Sequence, residues 1–348
     1  MGAARSDRPA ATGIPTVPSE LLAFLNEHDT FYIVGHQEPD GDCVASSLVL
    51  ASLIRRVLGK HASCHNVGPF TRREVADYAS EFSPRIDAEE RGRAATPAVI
   101  ILDCSGPDRV GALRADLDGL PSAVIDHHAT SEPFGDARFV VTSAMATCYL
   151  VQLVGEALGA ELTSQEAELL LFGIATDTGY FRHAEPDAAD LFDAVARLMA
   201  AGASPRKIHG WMFGGHSFDS RGLLATLLLR AEPICGGSGV ITWETLDEVR
   251  RYGKESRDSG TLYQLLFSIE GLRAAALLRE ESESSVSGSL RSIDSLDVSA
   301  IASRFGGGGH RRASGFTTDL QLDEAVGAIR AELIEALGQC PEPERNDT

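Results

Sequence analysis

FYIVGHQEPDGDCVASSLVLASLIRRVLG, residues 31–59, holds a strand, a turn and a helix in succession. Its first residues form an apolar run that stops at His36, with the length and composition of a buried strand. Pro39-Asp40-Gly41 is turn chemistry, and the stretch from Cys43 to Gly59 repeats its apolar residues at helical spacing. The same alternation recurs downstream. AVIILD (98–103) is followed by a turn and a short polar stretch, and SAVIDHH (122–128) by a loop and then MATCYLVQLVGEALGA (145–160). Strands separated by helices pair in parallel through right-handed crossovers, so the expected fold is α/β with a doubly wound, mainly parallel sheet. Ligands of such sheets lie beyond the carboxyl ends of the strands. The three strands named end at ionisable residues: His36, Asp103 and Asp126.

At 348 residues the chain exceeds one ordinary core, and two domains are expected. Residues 1–17 and 341–348 have the composition of disordered tails. Residues 18–201 carry the strand–helix alternation. Residues 202–218, with Gly202, Pro205, Gly210, Gly214 and Gly215, turn irregular and read as a linker. Residues 219–340 read as a smaller mixed α/β domain. GVITWE (239–244), LRAAALLRE (272–280) and SSVSGSLRS (284–292) are its strand candidates, and LDEAVGAIRAELIEALG (322–338) is its closing helix. The substrate is expected in a cleft between the domains.

The formal net charge is −19. A surface this acidic repels long polyanions and argues against a long duplex nucleic acid as partner. A small anionic substrate remains compatible with it, because bound metals and a few arginines reverse the sign locally. The six cysteines form no C-x-x-C pair, which argues against a zinc ribbon or a secreted disulfide scaffold and for free thiols in a reducing compartment. No apolar stretch has the length of a signal-peptide core or a membrane span. A soluble cytoplasmic protein with no membrane partner is the expectation.

HQEPDGD (36–42) packs one imidazole and two carboxylates into a turn that would let His36, Asp40 and Asp42 converge. Mixed nitrogen and oxygen ligands suit a divalent transition ion. An acidic turn capping the next helix explains Asp40 equally well. Repetition separates the two: Asp103 closes one strand, Asp126-His127-His128 closes another, and Asp177 lies in a turn after the apolar helix of ELLLFGIATDTGYFR (168–182). Buried carboxylates at strand ends cost several kcal/mol unless paired or metal-bound, and nearby basic residues are few. His36, Asp40, Asp42, Asp103, His127 and Asp177 suffice for two ions roughly 3.5–4 Å apart, a spacing that clamps both oxygens of a phosphoryl displacement. Cys43 and Cys104 adjoin these motifs but read as small core side chains.

In this order and spacing, HQEPDGD, ILDCSGPDRVG, IDHH and IATDTGYF resemble the DHH phosphoesterase superfamily. GGGGHRRASGF (306–316) resembles the DHH-associated domain of its nucleotide-processing branch, and the likeness covers nearly all of the ordered chain. It is most like the small oligoribonucleases that also dephosphorylate 3′-phosphoadenosine 5′-phosphate (pAp). The resemblance implies two divalent ions, manganese first, with magnesium or cobalt as substitutes. Its ligands fall on His36, Asp40, Asp42, Asp103, His127 and Asp177, with Asp103, and in one version Asp177, shared. It implies that His128 meets the scissile phosphate and that Asp126 orients the imidazoles. It further implies that Arg291, Gly307, Gly308, Gly309 and His310 hold the rest of a short RNA or nucleotide. Arg109 and Arg182 either reach the phosphate or pair with Asp103 and Asp177. A homodimer is compatible with such a chain.

Two departures stand out. Cys43-Val44-Ala45-Ser46 replaces the usual Ala-x-Gly-Ser, and Ala146-Thr147 replaces a Ser-Thr pair, leaving position 146 without a role. Four glycines in a row allow close backbone approach and N–H donation to an anion; a flexible turn would explain the glycines but not the adjacent His310, Arg311 and Arg312. An inorganic pyrophosphatase would carry a Ser-Arg-Lys-type motif where this chain has GGGGH, and a processive exonuclease would add a basic channel. A phosphodiesterase of cyclic or linear dinucleotides is the nearest enzymatic alternative. From another class, a catalytically idle nucleotide sensor is the alternative, although no ligand carboxylate is lost.

Overall fold

The computed structural model describes residues 13–87, 91–92, 94–104, 106–129, 133–184, 188–293 and 295–338. Of the expected tails at 1–17 and 341–348, residues 1–12 and 341–348 lie outside the described residues, as does Cys340. Two compact units meet between Gly214 and Gly215.

The first unit is built on five parallel strands in the order β2-β1-β3-β4-β5: β1 Thr30–Gly35, β2 His61–His65, β3 Pro97–Leu102, β4 Ser122–Asp126 and β5 Ala137–Val140. This is a common doubly wound order, in which the chain reverses direction across the sheet between β1 and β3. Every residue of β1 is buried, because both faces of the sheet are covered. Phe31 and Ile33 join the larger core, which also takes residues from α1 (Ser19–Glu27), α2 (Gly41–Val57), α3 (Thr147–Ala157), α4 (Ser164–Asp177) and α5 (Ala189–Ala200). Tyr32 and Val34 face a thinner core with Val110, Leu113 and Leu117. A strand buried on both sides reads as a continuous apolar run, which is how these strands appear in the sequence.

Local chemistry fixes the helices. Asp40 caps α2 by accepting from the N–H groups of Asp42 and Cys43, both at 3.1 Å, and Arg55 and Arg56 occupy its last turn. Thr163 and Glu166 form a capping box on α4, and Glu166 is also held by Ser52 and Arg56 of α2.

The stretch read as an irregular linker contains a helix, α6 (Pro205–Phe213), capped by the Ser204 side chain. Its Pro and Gly misled because they punctuate the ends: Pro205 is the first helical residue and Gly214 the C-cap, the usual asymmetry of a short helix.

The second unit opens with α7 (Phe218–Arg230) and forms a six-stranded sheet, β10-β11-β9-β8-β7-β6. Its strands are β6 Glu232–Ile234, β7 Gly239–Glu244, β8 Ala274–Ser282, β9 Ser285–Ser292, β10 Gly308–His310 and β11 Ala313–Thr318, and β7–β8 is its parallel pair. Alternate residues of β8 serve two cores. Ala275 and Leu277 pack with Leu223, Leu227 and Leu262 on one face. Ala274, Ala276 and Leu278 pack with Ile301, Ile329 and Leu333 on the other. The expected α/β architecture, a parallel sheet and a smaller mixed one, is therefore present.

Cys43, Cys64, Cys104 and Cys148 are free and buried. Cys235 is disulfide-bonded, which corrects the expectation of free thiols throughout. Spacing alone does not reveal such a bond, since pairing depends on where the chain returns in space. No helix among the described residues is long and apolar enough to cross a membrane.

Glu244, at the end of β7, is fully buried and accepts from Arg257 Nε at 2.8 Å and Arg279 Nε at 3.0 Å. Replacing it by Gln leaves two half-buried guanidiniums without their shared countercharge, and about 3–5 kcal/mol of stability should be lost from the second unit. Chemical denaturation followed by hydrogen exchange in β7 and β8 measures this; the exposed Asp247–Arg250 pair is the control, with Arg250→Ala expected to cost under about 0.5 kcal/mol.

Candidate active site

The reversal between β1 and β3 brings His36 and Asp103 together, because Gly35 pairs with Leu102 and each of the two residues comes next in its chain. His36 Nε2 lies 3.6 Å from Asp103 Oδ2 and 3.8 Å from Asp40 Oδ1. On its other side, Asp103 Oδ1 lies 3.5 Å from His127 Nε2, which in turn lies 3.3 Å from Asp177 Oδ2. Asp42, His127 and Asp177 bring ligand atoms within 4.8 Å of one another. The six residues singled out from the sequence thus fall into two groups, His36–Asp40–Asp103 and Asp42–Asp103–His127–Asp177, with Asp103 common to both. Asp177 belongs to one group alone. The chain bends at Asp103 itself, whose φ of 53° lies in the left-handed region that Asp tolerates better than most residues.

Two observations test whether these groups suit metal ions. First, each imidazole is tethered through Nδ1, which leaves Nε2 facing the carboxylates. His36 Nδ1 bonds to the Gln37 carbonyl at 2.8 Å and His127 Nδ1 to the Ala144 carbonyl at 3.2 Å. Each Nδ1 therefore carries a proton, and Nε2 is presented to the site. The buried His127 Nε2 makes no aligned hydrogen bond although two carboxylates flank it. Second, Asp177 is the last residue of α4, where the helix dipole is negative and a carboxylate is misplaced unless a cation faces it. The mixed nitrogen and oxygen set fits divalent ions of the manganese kind.

The electrostatics agree. Burial disfavours a charged His36, yet Asp103 and Asp40 outweigh it and push its pKa up to about 10. His127 is likewise buried but is raised to about 9 by Asp103, Asp42 and Asp177. Burial and the neighbouring charges of Asp103 and Asp40 raise Asp177 to about 6 against the pull of His127. Asp103, buried as it is, is held well below the usual carboxylate range by His127 and His36. The cluster thus calls for positive charge at its centre.

The surroundings hold the ligands in place. Asp42 Oδ2 accepts from Thr147 N at 2.6 Å and Oδ1 from Cys148 N at 2.9 Å, so it caps α3, whose own N-cap residue, Ala146, has no side-chain acceptor. Asp40 is the cap of α2 and also faces His36. A Cβ on Gly173 would strike Cys148 Sγ and Asp42 Oδ1, and one on Gly41 would strike Thr176. These glycines let α2, α3 and α4 close around the carboxylates. The sequence reading missed Thr147, whose Oγ1 donates to Asp103 at 3.1 Å, and Asn66, whose Nδ2 donates to the His36 carbonyl at 2.9 Å. It also missed Arg72, 3.4 Å from Asp40. The hydroxyl of Thr147 was a visible signal; Asn66 and Arg72 follow β2 and reach the site only through sheet order.

Asp126 Oδ1 accepts from His128 N at 3.1 Å and from His128 Nδ1 at 2.9 Å. It therefore orients His128 rather than both imidazoles. This bond also raises the pKa of the half-exposed His128. Cys43 Sγ lies near His36 and Asp103, but burial and the charges of Asp103, Asp40 and Asp42 keep it a thiol. Among the described residues, neither Arg109 nor Arg182 pairs with Asp103 or Asp177; Arg182 bonds to His183 at 3.2 Å.

In the second unit, Arg291 stacks 5.2 Å over Tyr263 and donates to the Leu290 carbonyl at 2.9 Å. No carboxylate meets it among the described residues. Its β11 partner is Ala313, which pairs with His310, so Arg291 and His310 lie on one row of one sheet face. The glycines are not a free loop. Gly306 and Gly307 donate their N–H groups to the Ser303 and Ala302 carbonyls and end α8 (Val298–Arg304), while Gly308–His310 form the edge strand β10. The N–H of Gly307 is thereby committed, which corrects its expected part as an anion donor. A Cβ there would strike the Gly315 carbonyl, so the glycine serves close packing.

Neutral imidazoles are required for metal binding, and both are protonated at pH 8 in the metal-free protein. Calorimetric titration with Mn²⁺ in buffers of different ionisation enthalpy should therefore register release of at least about two protons per chain at pH 8. The number should fall as pH rises through 9 and 10. Release near zero at pH 8 would refute the arrangement.

A model of the DHH family N-terminal domain matches residues 30–174, and a DHHA1 domain model matches residues 243–339. The chain is 31% identical over 323 residues to the bifunctional oligoribonuclease and PAP phosphatase NrnA of Thermus thermophilus, covering 88% of this chain and 90% of that one. It is 23% identical over 316 residues to the NrnA of Bacillus subtilis, covering 85% and 92%. A solved exopolyphosphatase-related protein from Bacteroides fragilis shares the fold with a TM-score of 0.72 at 21% identity, over 90% of this chain and 94% of that one. With its motifs in family order around a shared aspartate, and with this kinship over nearly its whole length, the chain belongs to the DHH family of phosphoesterases.

Proposed function

We propose that this protein is a metal-dependent phosphoesterase that hydrolyses very short oligoribonucleotides to mononucleotides and pAp to AMP and phosphate, in the cytoplasm. The observation that carries the reading is Asp103, which turns one oxygen to His36 and the other to His127 and so joins two ligand groups. His36, Asp40, Asp42, Asp103, His127 and Asp177 would hold two divalent ions, manganese first. Such ions supply Lewis-acid stabilisation of phosphoryl oxygens and a nucleophile at neutral pH.

The chain's own residues do the rest. In hydrolysis the oxygen of water bonds to phosphorus, the P–O bond to the leaving group breaks, and the leaving oxygen gains a proton. To His128, whose pKa is raised by its bond to Asp126 and which is partly open to solvent, we assign neutralising phosphate charge and giving that proton. Asp126, fully buried, fixes its ring. Arg291 and His310, with the backbone of Gly308 and Gly309, are assigned to the remaining nucleotide; a guanidinium suits bidentate phosphate contact. Kinship to two NrnA enzymes over most of both chains supports this substrate class over pyrophosphate.

The test measures release of phosphate and mononucleotide with Mn²⁺ from pAp, a 5′-labelled RNA dinucleotide, a long single strand, pyrophosphate and cyclic di-AMP. Turnover of pAp and the dinucleotide is expected, with Asp103→Asn lowering it by about 10³-fold, the equivalent of ~4 kcal/mol. Activity confined to the long strand, pyrophosphate or the cyclic dinucleotide would overturn the substrate assignment. Binding of pAp without turnover would make the chain a sensor.

A further inference from the structure

A site that handles phosphate needs positive charge beyond its metals, and the first unit offers little. Among the described residues, one Lys or Arg side chain is in ion-pair contact with any of the six ligand residues. It is Arg72, whose Nη1 lies 3.4 Å from Asp40 Oδ2. The side chain is 52% exposed, a guanidinium carries five N–H donors in a fixed fork, and among the described residues Asp40 is the partner it meets. The other oxygen of Asp40 caps α2 and faces His36.

The backbone carrying Arg72 is tied to the turn that carries Asp40. Asn66, 97% buried, donates through Nδ2 to the His36 carbonyl at 2.9 Å and accepts the N–H of Gly68 at 2.8 Å. The Gly68 carbonyl accepts the N–H of Glu38, two residues before Asp40, at 3.0 Å. The Phe70 ring packs 5.3 Å from Phe82 and anchors the far side of the segment. Arg72 is thus presented beside the His36–Asp40–Asp103 group by three hydrogen bonds and an aromatic contact, in a chain whose net charge is −19.

Charge balance says what it is for. Among the described residues, Asp40 is the carboxylate that Arg72 meets, and a divalent ion held by Asp40 would draw that negative charge to itself. The guanidinium then needs another anion, and the one this site takes is a phosphate. We propose that Arg72 is a substrate-binding residue that contacts a non-bridging oxygen of the phosphate seated on the His36–Asp40–Asp103 side. The assignment rests on the phosphoesterase reading and adds a contact from the first unit, outside the DHH motifs, to the residues already assigned. The competing role is orientation of Asp40, which would make Arg72 a contributor to metal affinity instead.

The two roles separate in the full-length protein loaded with Mn²⁺ and freed of excess metal. For Arg72→Gln and Arg72→Lys, three quantities are measured: the Kd of inorganic phosphate by equilibrium dialysis, kcat and KM for pAp, and the Kd of Mn²⁺. Loss of one charge-assisted contact should weaken phosphate about 10- to 100-fold in Arg72→Gln, with a parallel rise in KM. The Mn²⁺ Kd should change less than about threefold, and Arg72→Lys should recover part of the loss. Unchanged phosphate affinity in Arg72→Gln, or a loss of Mn²⁺ affinity as large as that of phosphate, would overturn the proposal, as would failure of the wild-type protein to bind phosphate. If wild type binds phosphate but does not turn over pAp, the substrate reading fails on its own, and the dialysis still decides Arg72.

Discussion

Four aspartates, Asp40, Asp42, Asp103 and Asp177, converge within a few ångströms at the end of a buried parallel sheet. Like charges at that spacing cannot all be ionised in a partly dry site unless cations stand between them. Much of the neighbouring structure can be understood as a response to this repulsion. Two imidazoles turn Nε2 inward, each fixed by a backbone carbonyl at its other nitrogen. The N-termini of two helices point positive ends at Asp40 and Asp42. Thr147 donates to Asp103, and Arg72 forms an ion pair with Asp40. Asp177, at the negative end of α4, has no helix dipole to help it, and burial with the charges of Asp103 and Asp40 raises its pKa to about 6; Asp42, fully buried beside Asp103 and Asp177, is raised as well although a helix end faces it.

The same constraint explains the unusual backbone at this end of the sheet. Asp103 takes a left-handed conformation, and so does Glu38 in the neighbouring turn. Strain of this kind persists where surrounding packing over-determines it. Gly35, Gly41 and Gly173 remove side chains where Cys43, Thr176 and Cys148 must approach. A carboxylate cluster therefore governs residues that carry no chemistry of their own.

The second unit meets a different demand. Among the described residues it has no comparable carboxylate cluster, and its fully buried Glu244 is neutralised by two arginines. What it offers is a sheet row with Arg291 and His310 on one face, separated by Ala313, and a glycine-rich edge strand. The aromatic ring of Tyr263 beneath Arg291, with its hydroxyl bonded to the Ser289 carbonyl at 2.7 Å, fixes the cation without cancelling its charge.

The sequence by itself determined the parallel sheet, because β1, β3 and β4 are short apolar runs that each stop at an ionisable residue. It also singled out six residues that the fold brings together, because the motifs recur at successive strand ends. It could not determine that the ligands divide around Asp103, since that depends on β1 lying beside β3 rather than beside β4. Nor could it place Asn66 and Arg72 at the site, because they follow β2, and only strand order brings that loop over the end of β1. The helix at 205–213 was hidden by Pro and Gly that mark its ends, and the disulfide at Cys235 by the silence of spacing about where a chain returns. Pattern records what each segment buries. Which segments meet is set by topology, through packing and hydrogen bonds between residues far apart in the chain.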